Sequence, residues 1–394
     1  MGKGAVNVNW VAGAVVCAGA LVAFIATGEA AMLFLALAVA AFVVLGALAA
    51  HLLSVRTAFS FELKQSCPVG SDLALAIAMV RPRVMRGSVE LVFECRNVFL
   101  NTAVKVPVTL APSHGTVEAY GLPLDTERVG RVAVELVSVH ARDIFGFASV
   151  PVPGVFFHGS YTVYPDVLDV EAVTNRANRM AAAGQVFDKH RKGQDLSEVF
   201  EMREFRDGDS MRSVHWKLSA RFDDLMVREP SHPTDFDLVV ALSLHARDAR
   251  EDRRTRSINA ATTMLGTVSR ALLHRGLGHD VLFRNGAVLE SLPVEDDASL
   301  VAMTDAALST PLPLDAPVDG KAFASYCTAR SITKAVLIVD EVNKALYEEI
   351  AALCQLTVIY VGEGTGFTVD ETPEYTLMSI AAEAVDGRIK SLEL

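Results

Sequence analysis

The chain has 394 residues, 51% hydrophobic and 21% charged, and its 36 Lys and Arg against 47 Asp and Glu give a net charge of −11. That excludes a disordered chain, which would be poorer in apolar residues, and a collagen-like or disulfide-rich scaffold, which would carry more Gly, Pro or Cys than 26, 15 and 5. The acidic balance argues against nucleic acid as a partner, because phosphate binding needs a basic face. At roughly 100–200 residues per domain, the length predicts two or three folded units.

The first elements are apolar. Trp10 to Thr27 contains no charged residue, and after the break at Gly28-Glu29 a second run, Ala30 to Leu53, carries only His51 near its end. Each is long enough for a hydrocarbon core of about 30 Å, which takes about 20 helical residues. Two spans joined by so short a turn predict a helical hairpin, residues 1–56, with transmembrane helices at 10–27 and 30–53. A cleaved signal peptide, with Lys3 as its charged start and Val11 to Ala26 as its apolar core, is disfavoured by the second run directly behind it. Lys3 before the first span and Arg56 and Lys64 after the second place both termini in the cytoplasm. The expectation is a multi-pass protein of the cell (inner) membrane with cytoplasmic soluble domains. Cys17, Cys67, Cys95, Cys327 and Cys354, an odd and scattered set without a CxxC pair, read as reduced thiols and make zinc improbable.

From 57 to 165 short apolar runs alternate with turn residues: Leu73 to Ile77, Val89 to Phe93, Val104 to Val108 and Arg131 to Val137. This pattern predicts an antiparallel β-sandwich. From 235 to 394 it changes to strand–helix alternation. Strands are expected at Leu238 to Leu242, His279 to Phe283, Lys334 to Val339 and Leu356 to Val361, with helices at Arg254 to His274, Asp297 to Leu308 and Val342 to Leu353. Continuous apolar strands between amphipathic helices predict a mainly parallel sheet covered on both faces, a Rossmann-like α/β domain.

Residues 166–234 bridge the two. Within them, Lys189 to Glu229 interleaves opposite charges with Phe200, Phe205, Trp216 and Phe222, a pattern suited to ion pairs packed over aromatic surface. Arg206-Asp207-Gly208-Asp209 reads as a tight turn, and Ser213 to Arg221 as a short helix leading to a strand at Leu225 to Arg228.

Gly193, Glu198, Arg203-Glu204-Phe205, Gly208-Asp209, Arg212, Trp216-Lys217, Ser219-Ala220-Arg221, Leu225 and Val227-Arg228-Glu229 form a string that resembles bacterial domain-of-unknown-function family 58. Asp143-Ile144-Phe145-Gly146 and Val163-Tyr164-Pro165 are similar to it too; His215 stands where that family often has an acidic residue. The resemblance implies two membrane helices, a β-rich domain and a von Willebrand factor A-like domain, without an established activity. It implies as partners a MoxR-class AAA+ ATPase and a transglutaminase-like membrane protein, in the assembly or maturation of other proteins.

Searching for chemistry gives little. A von Willebrand A domain that binds Mg²⁺ uses Asp-x-Ser-x-Ser after its first strand, a carboxylate and hydroxyls for a hard cation. Here Ala241, Ser243 and His245 occupy those places, so the site is degenerate; Asp340 and Asp248 leave a rearranged site as the alternative. No phosphate-binding GxxxxGK[ST], HExxH or GxSxG occurs, and Ser331-Ile332-Thr333-Lys334 matches SxxK without its expected helix start. Cys95, Cys327 and Cys354 read as buried packing rather than nucleophiles.

No catalytic residue, cofactor, metal or small-molecule substrate is assigned. Arg203, Glu204, Arg206, Asp209, Arg212, Trp216, Lys217, Arg221 and Arg228 remain open to two readings: a network stapling the domains together, or a partner-docking surface with Trp216 as anchor. The expected function is a non-enzymatic membrane-anchored adaptor. The alternative is a membrane-bound metal-dependent or hydrolytic enzyme with a site at the α/β sheet edge.

Overall fold

A computed structural model describes residues 8–80, 87–111, 117–144, 148–173, 187–204, 219, 226–233, 238–247, 252–286, 288–314, 320–362, 366–385 and 391–393. The chain divides into two compact units, Met1–Tyr164 and Pro165–Leu394.

The first unit begins with two apolar helices, α1 (Val8–Thr27) and α2 (Ala30–Arg56). Gly28, at φ +66°, makes the reversal between them, a conformation that costs a residue without Cβ little. The two helices pack together, and the Cys17 thiol donates to the Ala36 carbonyl at 3.6 Å. α2 is long and apolar enough to cross a membrane. It runs past Leu53 to Arg56 because its last turns are docked rather than free. Gly46, Ala50, Leu53 and Ser54 are buried at helical spacing, and α2 packs on two strands of the β-rich part of its unit.

That part holds β1 (Ala58–Glu62), β2 (Ser66–Pro68), β3 (Ala74–Val80), β4 (Ser88–Asn97), β5 (Thr102–Leu110), β6 (Val117–Pro123), β7 (Gly130–Arg142), β8 (Ser149–Pro151) and β9 (His158–Tyr164). They form two sheets, β1-β3-β6 and β2-β9-β7-β4-β5, with β8 beside β7; every pairing is antiparallel except β2 with β9. Alternation decides which side chains go inward. Leu75, Ile77 and Met79 of one sheet share a core with Leu91, Phe93, Val134 and Tyr161 of the other. Phe61 and Phe157 meet at 5.0 Å between ring centroids, and Tyr161 anchors its hydroxyl on the Asp125 carbonyl at 2.9 Å.

The second unit contains a short parallel pair, β10 (Glu171–Val173) with β20 (Ser391–Glu393), and an antiparallel pair, β11 (Phe187–Glu204) with β12 (Met226–Pro233). β11 was not expected as a strand. Its sequence is dense in charge without period-two alternation, and its ladder slips register repeatedly between Asp188 and Glu201. The expected helix at 213–221 lies outside the described residues, apart from Ser219.

The main sheet has seven strands in the order β15-β14-β13-β16-β17-β19-β18. These are β13 (Leu238–Ser243), β14 (His279–Asn285), β15 (Val288–Val294), β16 (Lys334–Val339), β17 (Gln355–Gly362), β18 (Phe367–Glu371) and β19 (Tyr375–Ala381). The central five are parallel, and β15 and β18 close the two edges antiparallel. Both edge hairpins were missed in the sequence. β15 follows the turn Asn285-Gly286, with Gly286 at φ +60°, and its Pro293 is tolerable only on an edge strand.

The connecting helices are α3 (Asp252–His274), α4 (Asp297–Ser309), α5 (Gly320–Arg330) and α6 (Lys344–Ala351). Every residue of β13 and β16 is buried, as a sheet covered on both faces requires. α5 and α6 contribute Phe323, Cys327, Tyr347 and Ile350 to the core that takes Val239, Leu337 and Val358. The opposite set, including Val240 and Ile338, is equally buried, and α3 packs on β13, β16 and β17.

Candidate functional site at the carboxyl ends of β13 and β16

β13 feeds α3 and then β14 on one side, while β16 lies on its other side. The carboxyl ends of β13 and β16 therefore flank a point where the winding reverses, the crevice in which open α/β sheets hold ligands. Two short segments leave the sheet there, Ser243-Leu244-His245 after β13 and Asp340-Glu341 after β16, and the first turn of α3 brings Arg254 against them.

These groups satisfy one another. The Asp340 carboxylate accepts from the His245 backbone N–H at 3.2 Å, and its Oδ2 is also 3.2 Å from His245 Nδ1. His245 Nε2 lies 3.0 Å from Glu341 Oε1, so the ring bridges two carboxylates. The Arg254 guanidinium pairs with the same Asp340 oxygen and donates to the His245 carbonyl at 2.6 Å. The side chains of Asp340, His245 and Arg254 are 2%, 6% and 14% exposed, so this is a largely buried triad, with the exposed Glu341 as its outer member.

A hard divalent cation does not suit this arrangement. Ala241 lies buried inside β13 with no ligand atom to offer, His245 stands at the second hydroxyl position, and Asp340, the nearest carboxylate, already holds a guanidinium. Among the described residues no cluster of three or more His, Cys, Asp or Glu side chains is placed to bind a metal. Beside the triad a cavity of about 350 Å³ opens between the start of α3 and the ends of β17 and β19, lined by Arg253, Arg256, Ser257, Gly362, Ala381, Ala382 and Glu383. Arg256 and Glu383 pair across it at 2.9 Å, both well exposed, an interaction worth at most about 1 kcal/mol.

Two of the cysteines are held as thiols, while Cys354 is lowered by its hydrogen bond with Cys327. The Cys327 thiol is pushed up by its hydrogen bond to Cys354 and then by burial, and Cys95 is raised by burial and by nearby Asp125. Thiolate, the nucleophilic form, is thereby disfavoured at both. Ser331 follows the end of α5 at φ +53° and Lys334 is buried in β16, so the SxxK sequence lacks the helix start its chemistry needs.

Of the proposed docking residues, Arg203 and Glu204 end β11 opposite Val227 and Met226, and Arg228 in β12 faces Met202, so the ladder brings these three positions together. Arg206, Asp209, Arg212, Trp216, Lys217 and Arg221 lie outside the described residues. Asp340 is expected from the sequence, with Asp248, as part of a rearranged metal site; the structure instead pairs it with Arg254 and His245, and neither Arg254 nor Glu341 is singled out by the sequence. The available signal was an arginine pair opening a helix pattern, in which cations oppose the helix dipole unless a carboxylate meets them.

The molecule thus combines an apolar N-terminal helix, a sheet-rich unit and a mixed α/β sheet whose reversal point is filled by a salt-bridged triad. Residues 201–313, a stretch that includes β12, β13, His245 and Arg254, match the family described as protein of unknown function DUF58. No curated protein matches the chain. Among solved structures, the cohesin module from a Clostridium perfringens ATCC13124 family 33 glycoside hydrolase is similar over 28% of this chain and 97% of its own, at 9% identity and a TM-score of 0.21. A Paenibacillus sp. cycloisomaltooligosaccharide glucanotransferase complexed with cycloisomaltoheptaose is similar over 78% of this chain and 45% of its own, at 8% identity and a TM-score of 0.17. At these scores neither likeness carries an argument.

Proposed function

We propose that the protein is a membrane-anchored adaptor that holds other proteins at the inner face of the bilayer and turns over no substrate itself. In this reading α1 and α2 both cross the membrane and the soluble units are cytoplasmic. The β-rich unit is an antiparallel sandwich, supported by its two sheets sharing one core. The second unit is Rossmann-like, of the von Willebrand A kind, supported by five central parallel strands with helices packed on both faces.

One observation carries the adaptor reading: Arg254 and His245 close on Asp340 at the place where a doubly wound sheet would keep a ligand site open. A catalytic metal or an activated water would need that carboxylate free. The family resemblance adds a MoxR-class AAA+ ATPase as partner, together with a transglutaminase-like membrane protein, and the charged segment around Arg212 and Trp216 as the docking surface.

Affinity purification of the full chain from detergent is expected to recover an AAA+ ATPase, and Arg212→Glu and Trp216→Ala to abolish recovery. Unchanged recovery with both variants removes the docking role. Calorimetric titration with Mg²⁺, Mn²⁺ and Ca²⁺ is expected to show no binding; a stoichiometric site lost on Asp340→Ala would favour the metal-dependent enzyme instead.

A further inference from the structure

α2 changes partner along its length. Near its start the helix packs on α1, as the Cys17–Ala36 contact records, and Phe34, Leu35, Leu37, Phe42, Val44 and Leu45 are exposed apolar side chains. From Gly46 onward a stripe of the same helix is buried against β7 and β8. The first contact of that stripe is specific. A Cβ on Gly46 would stand 3.0 Å from Asp143 Oδ2, tighter than side-chain contacts normally are, so a larger residue here would press the carboxylate away from the helix backbone. Asp143 in turn closes the end of β7: its Oδ1 accepts the Ala148 N–H at 2.8 Å, and its own N–H donates to the Ala148 carbonyl at 3.2 Å. Beyond Asp143 the chain presents Ile144, 60% exposed.

Helix length fixes the depth of this contact. Sixteen residues separate Ala30 from Gly46, about 24 Å at 1.5 Å per residue, whereas a hydrocarbon core is about 30 Å thick. A bilayer that covers α2 from Ala30 therefore reaches past Gly46. α1, 20 residues long, spans the same ~30 Å. An exposed isoleucine at this level meets acyl chains and headgroups rather than water.

We propose that Ile144, just beyond the end of β7, is a lipid-contacting residue: the β-rich part of the first unit sits in the interfacial layer, braced on α2 through Gly46 and Asp143. This rests on the reading that α2 crosses the bilayer. The consequence is mechanical. A sheet-rich body clamped to its own anchor at the membrane surface has a fixed orientation relative to the bilayer, which a flexible tether would not give.

The test uses the full chain reconstituted in phosphatidylcholine–phosphatidylglycerol vesicles, with Trp10→Phe and Trp216→Phe removing the native indoles. Single tryptophans are then introduced as Phe34→Trp in α2, Ile144→Trp just beyond β7 and Val104→Trp on the exposed face of β5, toward the far end of the β4–β5 ladder. Lipids brominated near the headgroup end of the acyl chains are expected to quench Ile144→Trp, with a blue-shifted emission, and to leave Val104→Trp unquenched. Phe34→Trp, four residues or about 6 Å inside the opposite interface at Ala30, is expected to be quenched by the same shallow-brominated lipids. Quenching of Phe34→Trp with none at Ile144→Trp refutes the lipid contact while leaving the span intact. Absence of quenching at both refutes the span on which the inference rests. Equal quenching at Ile144→Trp and Val104→Trp also refutes it, because contact would then be nonspecific.

Discussion

Removing Arg254 should expose how strongly the reversal-point triad is held. Asp340 keeps only 2% of its side chain exposed, so Arg254→Ala leaves a carboxylate that water cannot reach, supported by one backbone N–H and the His245 ring at 3.2 Å. Breaking one partner of a buried pair costs about 3–5 kcal/mol. For a unit of this size each kcal/mol moves Tm by about 2–4 °C, so the expected fall is roughly 6–20 °C. Thermal unfolding of the full chain in detergent, followed by circular dichroism, reads it directly. The double variant Arg254→Met with Asp340→Leu removes both charges at similar volume and should recover most of the loss, since a matched apolar pair is often no worse than the ion pair. A fall in Tm of less than about 2 °C for Arg254→Ala, equivalent to under ~1 kcal/mol, would refute the account of Asp340 as a desolvated charge. So would a double variant less stable than the single.

Other perturbations probe separate parts of the molecule. Burial lowers the Lys334 pKa to about 8, so the unfolded chain binds the proton more tightly and stability rises with pH between about 8 and 10.5. Lys334→Met should therefore stabilise the protein at pH 7 and lose that advantage as the pH climbs through this window, in urea titrations at each pH. His279 is also lowered, chiefly by burial and against the Leu277 carbonyl that would raise it. Its contribution is present above about pH 6.5 and lost as the pH falls below that, so His279→Leu should flatten the acid limb of the stability profile. Gly46→Leu forces a side chain onto Asp143 and should cost about 1–3 kcal/mol, whereas Gly19→Leu in α1, with open space around it, should cost far less. A fluorescent protein fused to the carboxyl terminus should mature in the cytoplasm; an alkaline phosphatase fusion active there instead would reverse the proposed topology.

Much of the framework could be read from the chain because single faces impose simple periods. Leu75, Ile77 and Met79 alternate inward, and the continuous apolar runs Leu238–Leu242 of β13 and Ala335–Val339 of β16 announce a sheet buried on both sides. The edges were harder. β15 and β18 bury little, and the all-exposed β18, Phe367–Glu371, has no hydrophobic pattern to betray it. β11 failed for a related reason: a strand whose ladder slips register has no fixed inward face, and so no alternation to detect. The triad was half legible. Asp340 at the end of an apolar strand and His245 in place of a hydroxyl were visible, but their meeting depends on strand order. β13 and β16 are neighbours separated by 90 residues of chain, and no local pattern reports that adjacency.

Arg254 also bears on what the neighbouring cavity can do. It comes from the same two turns of α3 as Arg253, Arg256 and Ser257, which line that space. Its grip on Asp340 ties the amino end of α3 to the carboxyl end of β16, so the cavity wall is held by a buried pair, while the Arg256–Glu383 pair across it is exposed and weak. Two ion pairs on one helix start thus have unequal tasks. The buried one is too costly to open and fixes geometry; the exposed one can exchange partners at little cost. In the adaptor role proposed above, a docking partner would displace the exposed Glu383 carboxylate at little cost, while the buried Asp340 pair stays closed.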